Sequence, residues 1–228
     1  MKIGIDVGGT KCLGVAVDDD GKIVQQYRLP TPHADALCDT LVEIVAQLGE
    51  FKSLGIGVPG LISPEGVIRA SPNLVGAKEL ALRQMMQDRL GKKVLVENDA
   101  TCAALGEWKS GAAQGATDAW VITLGTGIGG GFISGSVLQR GAHGFAGEVG
   151  HMVVDPDGPL CPCGRNGCWE RYASGNGLSY LANGEKGEDV LSRAKDGAAD
   201  AIGVVDTFAK WVALGLVNLT NMTDPDVI

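Results

Sequence analysis

The chain has 228 residues, of which 45% are hydrophobic and 20% are charged, and this composition is typical of a globular protein with an ample core. The length suits one large domain or two modest ones. The net charge of −8 and the lack of any basic run exclude nucleic-acid binding through a cationic face. A bound phosphate would therefore need backbone amides, helix ends or a metal ion.

The sequence shows no sign of export or of a membrane anchor. It has no charged and then apolar leader, and no apolar run reaches the roughly 18 residues of a membrane span. We therefore expect a cytoplasmic protein with no membrane contact. In that reducing compartment the six cysteines are expected to be thiols rather than a disulfide framework.

The first predicted elements are two strands joined by a glycine turn. Residues 2–6 are typical of a buried strand, residues 7–11 of a turn and residues 12–17 of a second strand. Asp6, at the end of the buried strand, is a candidate ligand of hydrated Mg²⁺; the alternative is a plain β-hairpin in which Asp6 accepts a turn hydrogen bond. The turn residues that can approach phosphate oxygens are Gly8, Gly9, Thr10 and Lys11.

An alternation of strands and helices follows. It predicts strands at residues 23–29, 54–58 and 94–96, and helices at residues 34–48, 78–90 and 100–109. Asn98 and Asp99 stand where the last of these strands stops, and α/β folds bind ligands at the carboxyl ends of such strands. Position alone favours a helix N-cap as the role of Asp99.

A second strand–glycine–strand segment is similar to the first. Residues 119–124 predict a strand, residues 125–130 a turn and residues 131–133 the returning strand. This faint repeat predicts two lobes, each with one phosphate-binding turn. Gly125, Gly127 and Gly130 also match a dinucleotide fingerprint, but that motif must open a helix and no helical period follows here.

The most specific motif is a cluster of potential metal ligands in a turn-rich stretch. A complete ligand set for tetrahedral zinc is present in His151, Cys161, Cys163 and Cys168. The single residue between the first two cysteines departs from the common zinc spacing, and a disulfide to Cys168 is an alternative that leaves one thiol over. Because such a site is closed, we expect structural zinc, with Glu148 and Glu170 as the functional groups beside it.

Several motifs, taken in order along the chain, resemble the ROK family of bacterial sugar kinases and sugar-responsive repressors. They lie at residues 6–10, 55–60, 98–100, 124–131, 146–151 and 161–170. The combination of the zinc motif with Glu148-x-x-His151 is highly specific, and the similarity spans essentially the whole chain. Within the family, residues 168–175 most resemble the glucokinases.

The resemblance implies an α/β, actin-like two-lobed ATPase fold of the hexokinase type, with ribonuclease H-like lobes at residues 1–110 and 111–228. It implies that sugar and ATP meet in the cleft, with Mg²⁺ beside the ATP and structural Zn²⁺ in the cysteine loop. It also implies a homo-oligomer, a dimer or a tetramer.

The implied reaction is ATP-dependent phosphorylation of a hexose, with glucose converted to glucose 6-phosphate. Asp99 would be the catalytic base that accepts the proton of the sugar 6-hydroxyl. His151 would bind zinc through one ring nitrogen and sugar through the other. The implied sugar contacts are Gly60, Asn98, Glu148, His151 and Glu170. The implied nucleotide contacts are Asp6, Gly8, Gly9, Thr10, Lys11, Thr126, Gly127, Gly129 and Gly130.

Two alternatives stay open. One is a kinase for another sugar, such as N-acetylmannosamine, fructose or allose, since the hydroxyl-binding residues are shared among these enzymes. The other is a non-catalytic sugar sensor, although family repressors carry a helix-turn-helix ahead of the first strand and this chain reaches Asp6 at once.

The C-terminal part of the sequence departs from the family. Residues 208–219 predict a helix, and residues 226–228 begin a strand that family members continue into an adenine-binding turn. We therefore expect an incomplete nucleotide lobe, exposed apolar surface on that helix, and weak or no ATP-dependent activity of the chain alone.

Overall fold

The computed structural model describes residues 1–228, and the chain forms two compact units. Unit 1 contains Met1–Cys102 and Arg140–Ala146, and unit 2 contains Ala103–Gln139 and Gly147–Ile228. The predicted lobe boundary between residues 110 and 111 stays a prediction.

Unit 1 is built on a five-stranded mixed sheet. In chain order its elements are β1 (Lys2–Val7), β2 (Lys11–Val17), β3 (Ile23–Pro30), α1 (Ala34–Leu48), β4 (Ser53–Val58), β5 (Leu61–Ile62), β6 (Ile68–Ala70), β7 (Lys78–Leu80), α2 (Leu82–Leu90) and β8 (Val94–Asn98). The order in the sheet is β3-β2-β1-β4-β8; β1, β4 and β8 are parallel, and β2 and β3 are antiparallel to their neighbours. A smaller sheet joins β5, β6 and β7.

The core of unit 1 lies between this sheet and its helices. Alternate residues of β1 are buried, as expected of a strand with one face on a core. Helix α1 has its apolar stripe buried, including Leu37, Leu41 and Ile44. A β-carbon at Gly14 of β2 would overlap Ile44, so the glycine allows α1 to lie directly on the sheet.

Unit 2 combines a three-stranded antiparallel sheet with helices. Its elements are the rest of α3 (Asp99–Ser110), which starts in unit 1, then β9 (Ala119–Leu124), β10 (Ile128–Ser134), β11 (Val137–Gln139), a 3₁₀ turn (Val149–His151), α4 (Glu170–Ala173), α5 (Gly175–Leu181), α6 (Gly187–Lys195) and α7 (Ala199–Thr223). The sheet order is β11-β10-β9, and Val227 adds a parallel bridge to Ala119. The side chain of Trp169 is completely buried in one of the cores of this unit.

Two predicted boundaries are wrong for the same reason. Residues 78–80 form β7 and pair with β6, so the helix that was expected to begin at residue 78 begins at Leu82. The second glycine turn is also shorter than predicted, because β10 begins at Ile128 and places Gly129 and Gly130 in the strand. Both segments adopt strand structure through pairing partners that local sequence does not reveal.

Helix α7 is longer than the predicted residues 208–219. Its exposed apolar side chains, as expected, include Ile202, Leu214, Val217 and Met222. By length and composition alone α7 is long and apolar enough to cross a membrane, with a mean hydropathy of 1.4, although Asp206 and Lys210 interrupt its apolar sequence. One such helix is weak evidence for a span, because core helices of soluble proteins pass the same test.

Candidate functional site

The candidate residues of unit 1 lie at the carboxyl edge of the main sheet. Since β1, β4 and β8 are parallel, their ends meet there: Asp6 is opposite Gly57, and Val58 is opposite Asn98. A β-carbon at Gly57 would lie 3.5 Å from the Cα of Asp99. The structure thus brings Asp6, Asn98 and Asp99 to one edge.

Asn98 connects two of the predicted sugar contacts. Its Nδ2 donates to the carbonyl oxygen of Gly60 at 3.1 Å, and its Oδ1 accepts from the N–H of Thr101 at 2.9 Å. The second bond is a helix N-cap, so Asn98 provides the cap that position alone assigned to Asp99. Gly60 has a φ of 108°, and a β-carbon there would overlap the carbonyl oxygen of Ala70, so only glycine fits.

Electrostatics at this edge favour a cation. The pKa of Asp6 is raised, mainly because its carboxyl group is partly buried and, to a smaller extent, because the Asp99 carboxylate is nearby. Lys11 acts in the opposite direction. Two neighbouring carboxylates with one lysine nearby leave negative charge to be compensated. A proton or a bound Mg²⁺ would compensate it, and carboxylate oxygen is a ligand that Mg²⁺ prefers.

Hydrogen bonds within the turn and to Thr31 stabilise the first glycine turn. The N–H of Gly8 donates to the carbonyl oxygen of Lys11 at 2.9 Å, so this predicted phosphate donor is already bonded. The hydroxyl of Thr31 donates to the carbonyl oxygen of Gly8 at 2.6 Å, and the N–H of Thr31 donates to the carbonyl of Thr10. These bonds fix the hairpin that joins β1 to β2.

In unit 2 the predicted zinc ligands come together. The ligand atoms of His151, Cys161, Cys163 and Cys168 all lie within 4.8 Å of one another. The Sγ atoms of Cys163 and Cys168 are 3.5 Å apart, and Cys161 Sγ lies 3.6 Å from His151 Nδ1. A tetrahedron with bonds of roughly 2.0–2.3 Å has edges of roughly 3.3–3.8 Å, so the Cys163–Cys168 and Cys161–His151 separations match two edges of a zinc site.

The environment of the thiols differs from one cysteine to the next. Burial raises the pKa values of Cys161 and Cys168. Burial also acts on Cys163, but hydrogen bonds from the backbone N–H of Arg165 and from the two other thiols outweigh it and lower its pKa to about 7. All six cysteines of the chain are free thiols, so the disulfide alternative is not formed in this structure.

The ring of His151 has a different partner on each side. Its Nδ1 faces the thiols and lies 3.5 Å from Glu170 Oε1, whereas its Nε2 lies 3.8 Å from Glu148 Oε2. Side chains of all three residues are partly accessible, with exposures of 27% for His151, 38% for Glu148 and 18% for Glu170. The arrangement allows one nitrogen to bind a metal ion while the other binds a polar ligand.

Glycines that sequence analysis did not single out place Glu148 and His151. A β-carbon at Gly147, where φ is 101°, would overlap the carbonyl oxygen of Gly130, and one at Gly150 would overlap the carbonyl oxygen of Ile128. The turn that carries Glu148 therefore lies in backbone contact with β10. The available signal was a glycine immediately before Glu148 and a second one immediately before His151, within the Glu148-x-x-His151 motif.

Trp169 anchors the loop between the last cysteine and Glu170. Its side chain is completely buried, and its Nε1 donates to the carbonyl oxygen of Trp211 in α7 at 2.7 Å. A β-carbon at Gly215 of α7 would overlap the indole ring, so helix and ring are in close contact. The anchor fixes the residues on both sides of Trp169, Cys168 and Glu170.

Comparison with protein-family models matches residues 2–228 to the ROK family. The chain belongs to the ROK family. Its curated relatives in that family include a glucokinase from Streptomyces coelicolor, which is 36% identical in an alignment that covers 99% of this chain and 79% of the relative. An N-acetylmannosamine kinase from Citrobacter koseri is 36% identical, with coverage of 97% and 79%. A xylose repressor from Bacillus subtilis is 34% identical, with coverage of 99% and 62%.

Solved structures of ROK proteins share this fold. A ROK family glucokinase from Streptomyces griseus, crystallised with glucose and AMPPNP, aligns with a TM-score of 0.87 at 36% identity and covers 99% of this chain and 82% of that protein. The ROK hexokinase from Thermus thermophilus aligns with a TM-score of 0.85 at 33% identity, with coverage of 99% and 79%. The predicted α/β, actin-like fold of the hexokinase type is confirmed.

Proposed function

We propose that this protein transfers the γ-phosphoryl group of ATP to the 6-hydroxyl group of a hexose, with glucose as its preferred sugar. The observation that carries the proposal is the two-sided setting of His151, with Nδ1 toward the cysteines and Nε2 toward Glu148. It occurs in a chain that is 36% identical to a glucokinase over 99% of its length.

In unit 1, Asp99 is the proposed catalytic base. It accepts the proton of the 6-hydroxyl group as that oxygen attacks phosphorus, a role that typically contributes about 10²–10⁴-fold in rate. Asn98 and Gly60 are proposed sugar contacts. The hydrogen bond between them and the cap on Thr101 support this role, because they restrict the Asn98 side chain to one orientation.

In unit 2, Glu148, His151 and Glu170 are proposed to hydrogen-bond the other sugar hydroxyl groups. His151 Nδ1 and the thiolates of Cys161, Cys163 and Cys168 are the proposed ligands of zinc. The ion would be structural, since four protein ligands leave no open coordination position. Its contribution is to fix the loop from which His151 and Glu170 present their polar atoms.

The nucleotide contacts are proposed from both glycine turns. They are the turn at Gly8, Gly9, Thr10 and Lys11, with Asp6 as a Mg²⁺ ligand, and the turn and strand at Thr126, Gly127, Gly129 and Gly130. The N–H of Gly8 is not among the proposed donors, because it is bonded to the Lys11 carbonyl. Phosphoryl transfer needs alignment and neutralisation of charge more than covalent chemistry, and backbone amides with Mg²⁺ can supply both.

The zinc content of the purified chain and calorimetric titration of the same sample with sugars test the proposal. We expect one zinc per chain, glucose binding, and weaker binding of N-acetylmannosamine and fructose. A coupled assay that detects ATP-dependent formation of glucose 6-phosphate would establish the reaction. If the chain binds another sugar more tightly than glucose, the proposed substrate changes and the proposed kinase activity stays. A zinc-containing chain that binds no sugar would overturn the proposal.

A second candidate function is supported by the xylose repressor, which is 34% identical to this chain. In that case the chain is a sugar sensor without phosphoryl transfer. The two functions differ in one assay, because a sensor binds sugar but releases no ADP when sugar and Mg²⁺–ATP are both saturating. The cytoplasmic location and the homo-oligomeric state stay predictions.

A further inference from the structure

An ion pair lies beside Asn98 and Asp99 in unit 1. The Nε of Arg140 donates to Glu97 Oε2 at 2.6 Å, and the second oxygen of the same carboxylate, Oε1, accepts from the backbone N–H of Asn98 at 3.2 Å. The Glu97 side chain is 23% exposed and that of Arg140 is 48% exposed. One carboxylate thus connects a guanidinium group to the backbone of residue 98.

The position of this backbone amide gives the connection its importance. Strand β8 is at the edge of the main sheet, with β4 as its one neighbour. An edge strand has a partner strand on one side only, so part of its backbone N–H groups need other acceptors. The N–H of Asn98 has a side-chain acceptor, the Glu97 carboxylate. Anything that fixes the Glu97 carboxylate therefore also fixes the backbone from which Asn98 and Asp99 project.

Arg140 comes from a distant part of the chain. It is 43 residues from Glu97 in sequence, and it begins the segment Arg140–Ala146, which packs in unit 1 although the residues before and after it belong to unit 2. A second contact holds this segment, because a β-carbon at Gly144 would overlap the carbonyl oxygen of Ile62. Ile62 lies two residues after Gly60, the residue to which Asn98 Nδ2 donates.

We propose that Glu97 and Arg140 are positioning residues for sugar binding and phosphorylation. Their ion pair holds the end of β8 so that Asn98 meets the sugar and Asp99 meets the hydroxyl group that it deprotonates. The inference rests on the proposed functions of Asn98 and Asp99 in sugar binding and catalysis. A guanidinium group that donates through Nε fixes the direction of its carboxylate partner, which the ammonium group of lysine cannot do as well.

A double-mutant cycle on glucose affinity tests the proposal in the full chain. We expect Arg140→Gln to weaken glucose binding about 5–10-fold, and Arg140→Lys to restore part of the loss. In an Asn98→Ala background, which removes the sugar contact that the ion pair positions, Arg140→Gln should change affinity by less than about 2-fold. Arg89→Gln is the matched control, since it breaks a comparable exposed ion pair, Arg89–Asp39 at 2.7 Å, elsewhere in unit 1.

A second measurement does not depend on sugar or activity. Amide hydrogen exchange of the ¹⁵N-labelled chain reports directly on the N–H of Asn98. We expect Glu97→Ala and Arg140→Gln to accelerate its exchange about 10-fold, with no change in Arg89→Gln. Thermal unfolding of each variant separates this local effect from a global loss of stability.

The outcomes separate this inference from the proposed function. Wild-type glucose affinity and unchanged Asn98 exchange in Arg140→Gln would overturn the inference and leave the kinase proposal intact. If the loss of glucose affinity in the Asn98→Ala, Arg140→Gln double variant equals the product of the two single losses, the inference is also overturned, because that result means that the two residues act independently. Failure of the unaltered chain to bind any hexose would overturn the proposed function, and this inference with it.

Discussion

The carboxylate of Glu170 lies over Gly127. A β-carbon at residue 127 would stand 2.7 Å from Glu170 Oε2, closer than such contacts allow. The other oxygen, Oε1, accepts from Cys161 Sγ at 3.2 Å and lies 3.5 Å from His151 Nδ1. One side chain therefore joins the second glycine turn to the cysteine–histidine cluster.

Gly127→Ala should weaken glucose binding about 3–10-fold with little change in thermal stability. The carboxylate is the flexible end of a side chain and can move away, but it then leaves the position proposed for sugar contact. Gly125→Ala is the matched control, since a β-carbon there meets nothing within 4 Å. Calorimetry of both variants measures the difference; equal affinities would contradict the role of Glu170.

Asp99→Asn should lower kcat at least about 100-fold while glucose affinity stays within about 3-fold. The amide keeps the size and hydrogen bonding of the side chain but cannot accept the proton. Asp39→Asn, on the exposed face of α1, is the control. A coupled assay at saturating ATP and sugar gives kcat, and a near-normal value in Asp99→Asn would rule out this residue as the base.

Cys163→Ser should release zinc, lower the melting temperature and weaken glucose binding. Cys163 Sγ lies 3.5 Å from Cys168 Sγ, and loss of one ligand of four opens the proposed site. Metal analysis and thermal unfolding measure the first two effects. Cys38→Ala, a buried cysteine far from this cluster in sequence, should keep its zinc. Unchanged sugar affinity in a zinc-free Cys163→Ser protein would refute the coupling of metal to sugar.

Asp6→Asn should raise the melting temperature of the ligand-free protein at neutral pH while it abolishes Mg²⁺-dependent turnover. The pKa of Asp6 is raised, so between its ordinary value and the raised value the folded state holds a proton that the unfolded state has released. Stability contributed by this group therefore falls as pH rises through that window and stays reduced above it. The higher melting temperature of Asp6→Asn should disappear below about pH 3.9, where Asp6 is protonated in both the folded and the unfolded wild-type protein. Thermal unfolding as a function of pH checks the sign.

Gly215→Ala should destabilise the protein by about 1–3 kcal/mol, because a β-carbon there overlaps the buried indole of Trp169. Gly203→Ala on the same helix meets nothing within 4 Å and should stabilise by about 0.5–1 kcal/mol through helix propensity. Chemical denaturation of the two variants measures the contrast. Equal stabilities would mean that helix α7 can shift away from Trp169 without cost.

Regular elements with strong local patterns could be predicted from the sequence. Helix α1 occupies the predicted residues 34–48 and β9 the predicted residues 119–124, because apolar periodicity over such lengths needs no knowledge of partners. Strands β5, β6 and β11 are only two to three residues long and were not predicted. Such short strands exist through pairing with other segments, and that information is not local.

The sequence by itself determined the chemistry of the cysteine–histidine cluster, since His151 and the three cysteines lie within 18 residues of one another and together offer a complete set of potential zinc ligands. The tertiary structure alone decided which nitrogen of His151 faces the thiols, that Glu170 lies over Gly127, and that Arg140 reaches Glu97. Each of these contacts depends on how separate elements pack, and a contact between residues far apart in sequence is fixed only when the whole chain has folded.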